Sequence, residues 1–209
     1  MVKNQFRKIC KEKLIKKSKK FTLFEEKFLN HFLDKFIQKM DFKQILLYHP
    51  LAIEVNLNEL AKNLKRNKKR KIYAPFMEGK SFKVVQFRLA LKKGKFGIYQ
   101  NSRGFYQPRE LDLLIIPIIG VDRNFKRIGF GKGMYDRFFA KLHKKPIVVF
   151  IQKELCFSNR VITNSYDIKA DIILTPKKIM VKRGFLYVNR VDNRYFYYNN
   201  KRSCRLLIG

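Results

Sequence analysis

The chain has 209 residues, 46% of them hydrophobic, enough to bury one sizeable core and short for two. Forty-eight Lys and Arg against 16 Asp and Glu give a formal charge of +32, so the partners to expect are polyanions: nucleic acid, an anionic membrane surface, or a small ligand carrying several phosphates or carboxylates. No uncharged apolar run of about 18 residues is present, the basic N-terminus has no apolar segment behind it, and Cys10, Cys156 and Cys204 lie far apart without a CxxC pair. A membrane span, a secretory leader, a disulfide framework and a zinc site are therefore not expected, and the reading is a single cytoplasmic domain over 1–209 with reduced thiols. The lysines are spread along the whole chain, with only KRNKKRK (65–71) dense enough to call a run, so ordinary solvated lysines are the plain alternative to a polyanion site.

Residues 3–19 read as a basic helix, with Phe6, Ile9, Cys10, Lys13 and Leu14 near helical spacing. Thr22 and Glu25 form a T-x-x-E capping box, and Leu23, Phe24, Phe28, Leu29, Phe32, Leu33, Phe36, Ile37 and Met40 recur as one apolar stripe of a second helix. The stripe is read as core and not as a ligand box. ILLY (45–48) is a short strand, VNLNELAKNLKRN (55–67) a helix, and KIYAP (71–75) a strand stopped by its proline. FKVVQFRL (82–89) roughly alternates, as a more exposed antiparallel strand does. LDLLIIPIIG (111–120), PIVVFI (146–151) and ADIILTP (170–176) are continuous apolar runs of strands covered on both faces, with a helix to about His143 between the first two. This alternation implies a three-layer α/β/α sandwich with a mostly parallel sheet, in which ligands gather at the carboxyl ends of the strands. The tyrosine-rich tail (184–209) is expected to add an edge hairpin.

RIGFGKGMYDRFF (127–139) places Gly129, Gly131 and Gly133 between a strand and a helix, where backbone N–H groups converge on an anion. Arg127 and Lys132 would add positive charge. The loop is neither a Walker A sequence nor GxGxxG, and taken alone it reads better as a turn that merely reverses the chain. Asp136 stands in the first helical turn, where Mg²⁺ would bridge a carboxylate to a phosphate; a residue favoured by the helix dipole is the plain alternative. Asp167 and Asp171 flank the last apolar strand, as metal candidates or as turn formers.

LDLLIIPIIGVDRNFKRIGFGKGMYDRFF, with KNQFR (3–7), YHPLAIEVN (48–56) and DIKADIILT (167–175) in order around it, resembles the 5-formyltetrahydrofolate cyclo-ligase family over about residues 1–176, leaving a C-terminal extension over 180–209. The resemblance implies a NagB/RpiA/CoA-transferase-like sandwich. It also implies an ATP- and Mg²⁺-dependent closure of 5-formyltetrahydrofolate, with or without a polyglutamate tail, to 5,10-methenyltetrahydrofolate. By position, Lys3 and Arg7 would grip the ATP phosphates together with Arg127 and the loop Gly129, Phe130, Gly131, Lys132, Gly133, Met134, Tyr135 and Asp136. Asp136 and Asp167 would hold Mg²⁺, and Glu54, with His49 and Tyr135, would face the folate. Arg127, Lys132 and Tyr135 are the candidate catalytic groups. The chain departs from the family pattern at Met134, where a second aromatic is usual, at Ile118 and Val121, and in FGIYQN (96–101). His31 and His143 fall outside the matched motifs.

A monomer without a specific nucleic-acid or membrane partner is the expectation. Two other readings are kept open: a basic RNA- or ribosome-associated protein that retains the fold, with KRNKKRK and the tyrosines as its contacts, and a phosphosugar isomerase or CoA-transferase-like enzyme that uses no ATP.

Overall fold

The computed structural model describes residues 2–79, 81–88, 92, 93, 99, 100, 108, 110–182 and 185. Helices α1 (Lys3–Lys19) and α2 (Leu23–Lys39) lead into β1 (Gln44–Leu46), α3 (Asn58–Arg66), β2 (Lys71–Glu78) and β3 (Ser81–Gln86). A short pair, β4 (Lys92–Lys93) and β5 (Tyr99–Gln100), precedes β6 (Leu113–Pro117), β7 (Gly120–Asp122), β8 (Arg127–Ile128) and α4 (Met134–Ala140). β9 (Ile147–Ile151), β10 (Phe157–Ser158), β11 (Ile172–Leu174) and β12 (Ile179–Val181) follow.

The main sheet has the order β12-β11-β9-β6-β1-β2-β3. Its five inner strands are parallel, and the two edge strands run antiparallel to their neighbours. Side chains of β6 divide by the two-residue period of a strand. Leu113 and Ile115 join Leu29, Leu33, Phe36, Leu60 and Leu64 of α2 and α3 on one face; Leu114 and Ile116 join Tyr135 and, at its margin, Phe138 of α4 on the other. That two-sided burial, about 1.5–3 kcal/mol for each fully buried large apolar side chain, is the three-layer sandwich expected from the uninterrupted apolar runs.

Helix α1 packs apart from both layers. Phe6, Cys10 and Leu14, at i, i+4 and i+8, meet Ile119, Ile128 and Cys156, while Ile9 and Lys13 of the expected set face outward. Cys10 and Cys156, read from sequence as reduced thiols, are joined as a disulfide with Cα atoms 5.7 Å apart. Gly120 makes this docking close: a Cβ there would lie 2.7 Å from Phe6 Cε1 and 3.0 Å from the Cys156 carbonyl.

Three local expectations are corrected. The capping box forms, with the Glu25 N–H donating to Thr22 Oγ1 at 3.2 Å and the Thr22 N–H to Glu25 Oε2 at 3.0 Å, but it turns Leu23 and Phe24 outward, 66% and 80% exposed. β2 does not stop at Pro75. Its parallel pairing with β1 ends at Tyr73, and from there only β3 lies beside it, so the missing proline N–H removes nothing from a second neighbour. α4 ends at Ala140 and not near His143; Lys145 Nζ donates to the carbonyls of Phe139 and Leu142 and closes the helix there. The expected tail hairpin lies outside the described residues.

Candidate active site

The connection order reverses between β6 and β1: from β1 the chain moves to β2 on one side, and later from β6 to β9 and β11 on the other. Such a switch point leaves a crevice at the carboxyl ends of the strands. A cavity of about 290 Å³ lies there, lined by Tyr48 and His49 after β1, Pro75 and Met77 of β2, Pro117 ending β6, Leu51 and Glu54, and Arg127, Phe130, Lys132, Gly133, Met134 and Tyr135.

Its shape follows from local sequence. The turn after β1 is fixed by the Tyr48 hydroxyl donating to the Val55 carbonyl at 2.8 Å and by the Leu51 N–H donating to Glu54 Oε2 at 2.8 Å. In the glycine loop, Gly131 (φ 104°) and Gly133 (φ 58°) take left-handed backbone conformations, which residues with a Cβ adopt only under strain. Gly133 then caps α4 and presents Met134 and Tyr135 to the cavity. Phe82 packs edge-on against Tyr135 with ring centres 5.0 Å apart and fixes its ring.

Glu54 is the cavity's carboxyl group. Burial lifts its pKa to about 7, against the lowering effects of the Leu51 N–H, Arg127 and Lys153. Burial and the nearby Glu54 also push the Tyr135 phenol well above its ordinary value, with Arg127 opposing. Tyr135 therefore keeps its proton across the working range as a hydrogen-bond donor. Arg127 lies at the wall between this cavity and a second, charged region. It is 6% exposed, with its guanidinium carbon 4.9 Å from the Tyr135 ring centre, Nη2 donating to the Pro117 carbonyl at 3.4 Å and Nη1 3.5 Å from Asp136 Oδ2. Its Nε has no hydrogen-bond partner among the described residues.

The charged region holds the remaining expected residues. Arg7 Nε donates to the Gly129 carbonyl at 2.7 Å, so α1 grips the glycine loop directly. Lys3 Nζ donates to Asp167 Oδ2, which also accepts the Asn164 N–H at 2.7 Å. Asp136 Oδ1 accepts the N–H of Ile168, the residue after Asp167, at 3.1 Å. Asp136 is thus bonded to the backbone of the residue next to Asp167, the other expected metal carboxylate. Asp171 does not join them: it accepts the Val148 N–H at 3.0 Å and pairs with Lys182, as a strand-boundary residue. No group of three or more His, Cys, Asp and Glu able to hold a metal occurs among the described residues.

Eight residues named from sequence therefore line the cavity: His49, Glu54, Arg127, Phe130, Lys132, Gly133, Met134 and Tyr135. Lys3, Arg7, Gly129, Gly131, Asp136 and Asp167 belong to the charged region behind Arg127. Tyr48, Leu51, Pro75, Met77 and Pro117 are additions; the rule that ligands collect at strand carboxyl ends would have found Tyr48, Pro75 and Pro117, but nothing in the sequence marked Met77. Of the departures from the family pattern, Met134 lines the cavity, whereas Ile118 and Val121 are buried in the core. Of FGIYQN, only Tyr99 and Gln100, in β5, fall within the described residues.

The sequence profile of the 5-formyltetrahydrofolate cyclo-ligase family matches residues 2–176. The chain belongs to this family. A 5-formyltetrahydrofolate cyclo-ligase of Mycoplasma pneumoniae is 24% identical over 136 residues, 65% of this chain and 74% of that one. Its counterpart in Haemophilus influenzae is 27% identical over 120 residues, 54% of this chain and 64% of that one. The solved structure of Aquifex aeolicus 5,10-methenyltetrahydrofolate synthetase superposes with a TM-score of 0.68 at 23% identity, covering 97% of this chain and all of that one. That of the Mycoplasma pneumoniae synthetase gives 0.61 at 24% identity, covering 83% and 98%. These likenesses establish the fold and lend no support to the RNA-associated reading. No helix among the described residues is long and apolar enough to cross a membrane.

Proposed function

We propose that the chain closes 5-formyltetrahydrofolate to 5,10-methenyltetrahydrofolate with ATP as co-substrate, as its family membership indicates, and that the two regions on either side of Arg127 divide the work. The observation that carries this reading is Arg127 itself: a buried guanidinium with an unused Nε, between an apolar cavity with one carboxyl group and a loop of glycines and cations.

The formamide oxygen is a poor leaving group and must be activated. It attacks the γ-phosphorus of ATP, the bond to the β-phosphate oxygen breaks, and ADP leaves. Folate N10 then adds to the activated carbon and loses its proton, and the carbon–oxygen bond breaks to release phosphate and leave the cationic methenyl bridge. Phosphoryl transfer of this kind depends on positioning and charge neutralisation more than on a covalent protein group. Arg127 and Lys132 would neutralise the transferring phosphoryl group. Lys3, Arg7 and the Gly129–Gly133 backbone would hold the triphosphate, and Tyr135 would orient the formyl group. Glu54 would meet the amino and ring N–H donors of the pterin, the pairing that a carboxylate accepts best.

Asp136 and Asp167 suit Mg²⁺ that arrives with ATP, since this ion commonly takes one or two carboxylates with phosphate oxygens and water. When bound it would neutralise phosphate charge, and Lys3 would be released from Asp167 toward the nucleotide. The test is to mix the protein with 5-formyltetrahydrofolate, ATP and Mg²⁺ and follow the absorbance of the methenyl product. Product formation that needs ATP supports the reading, and its absence at high enzyme concentration overturns it. Asp136→Asn is expected to lose Mg²⁺-dependent turnover with the fold intact; undiminished turnover would remove Asp136 from the metal site.

A further inference from the structure

Lys153 stands two residues after the end of β9 and is 8% exposed, a rare setting for a lysine. Its ammonium group donates to the Ala52 carbonyl at 2.8 Å and to Ser18 Oγ at 3.4 Å and lies 5.1 Å from the centre of the Phe21 ring. One cation thus joins the end of α1, the connection from α1 to α2, the end of an inner strand and the turn that carries Glu54.

That turn has no helix or strand between β1 and α3 to support it. The Glu54 side chain bonds back to the Leu51 N–H within the same turn, so the placement of Ala52 sets the placement of the carboxyl group. Two carboxyl groups act on the ammonium, Glu26 from α2 and Glu54 from the turn, and both favour its charge against the cost of burial. Glu54 is in turn faced by Arg127 from β8, Tyr135 from α4 and Tyr48 after β1.

We propose that Lys153 is a positioning residue for the substrate cavity: by holding the Ala52 carbonyl it fixes the Leu51–Glu54 turn and so determines where the Glu54 carboxyl group meets the folate. This rests on the reading of Glu54 as folate-facing. Lys153 touches neither the glycine loop nor the carboxylates of the charged region in any hydrogen bond or ion pair described above, so its effect should fall on one substrate only.

The experiment compares wild type with Lys153→Met, Lys153→Gln and Lys153→Arg. Lys153→Met is expected to raise KM for 5-formyltetrahydrofolate about tenfold while KM for ATP stays within about twofold, with Lys153→Arg close to wild type and Lys153→Gln in between. Equal effects on both KM values, or none, would overturn the proposal. If Lys153→Met does not fold, the Gln and Arg variants decide: indistinguishable folate KM values would show that the charge holds nothing in place. A second readout is the titration of the Glu54 carboxyl carbon by NMR, which needs no turnover. Loss of the nearby cation should move it upward by about half a unit or more. An unmoved titration would sink the proposal whatever the substrate proves to be, whereas a shifted titration in a protein that makes no methenyl product would keep the Lys153–Glu54 link and discard the activity.

Discussion

With the folate-facing role proposed for it, Glu54 would serve a ligand at the expense of the fold. Its pKa of about 7 in the folded chain, against 4.5 for an ordinary glutamate, means that the folded state holds the proton more tightly than the unfolded one. The sign follows directly: below about pH 4.5 both states are protonated and the fold loses nothing, and as pH rises through 7 the folded chain must carry a charge in a poorly solvated place. Glu54→Gln should therefore be more stable than wild type at pH 8 by between about 1 and 3 kcal/mol, and nearly equal to it at pH 4. Chemical denaturation at the two pH values measures this; equal stabilities at pH 8 would mean that the carboxyl group is solvated. The same variant should lose most turnover. In wild type, pairing with pterin N–H donors favours the ionised form, so KM for 5-formyltetrahydrofolate should fall between pH 6 and 8. The glutamine variant should lack that trend.

Helix α1 carries two expected phosphate ligands, and its position depends on contacts that its own sequence shows only in part. Basic residues and an apolar i, i+4, i+8 row were legible, and so were the Thr22–Glu25 box, the apolar strands and the strand–glycine–helix order, because each is a local pattern with a local physical cause. Which elements meet was not legible. Cys10 and Cys156 are 146 residues apart, Met77 reaches the cavity only because β2 runs on past Pro75, and Lys153 is one basic residue among 48; their roles arise from packing, which no short spacing encodes. Leu23 and Phe24 show the converse, since they obey the helical period and still face solvent. The Cys10–Cys156 bond gives a direct check. Denatured without reductant, the chain should offer one thiol, Cys204, to a maleimide probe, and three after reduction; three without reductant would return the pair to the thiols expected from sequence. Cys10→Ser should lower stability by roughly 3–5 kcal/mol, because a long loop in the unfolded chain is no longer closed. It should also raise KM for ATP, as Arg7 lies one helical turn from Cys10.

At the scale of the whole molecule the unabsorbed observation is the charge of +32. It is spread over the whole chain, while the carboxylates nearest the candidate nucleotide region, Asp136 and Asp167, are already paired with Arg127 and Lys3. ATP and a polyglutamylated folate are both polyanions, and a surface of one sign raises their encounter rate without altering the bound geometry. The consequence is kinetic. Raising the salt from about 0.05 M to about 0.3 M shortens the screening length to roughly 6 Å, so kcat/KM should fall severalfold while kcat changes by less than about twofold. The slope against salt should steepen with each added glutamate on the folate, because each adds a charge to be steered. RNA gives the contrasting arm: a surface that attracts any polyanion should bind it weakly, without sequence preference, and release it as salt rises. A kcat/KM that ignores salt would show that the lysines only solvate the surface, and tight, structure-selective RNA binding at physiological salt would show that they form a second site.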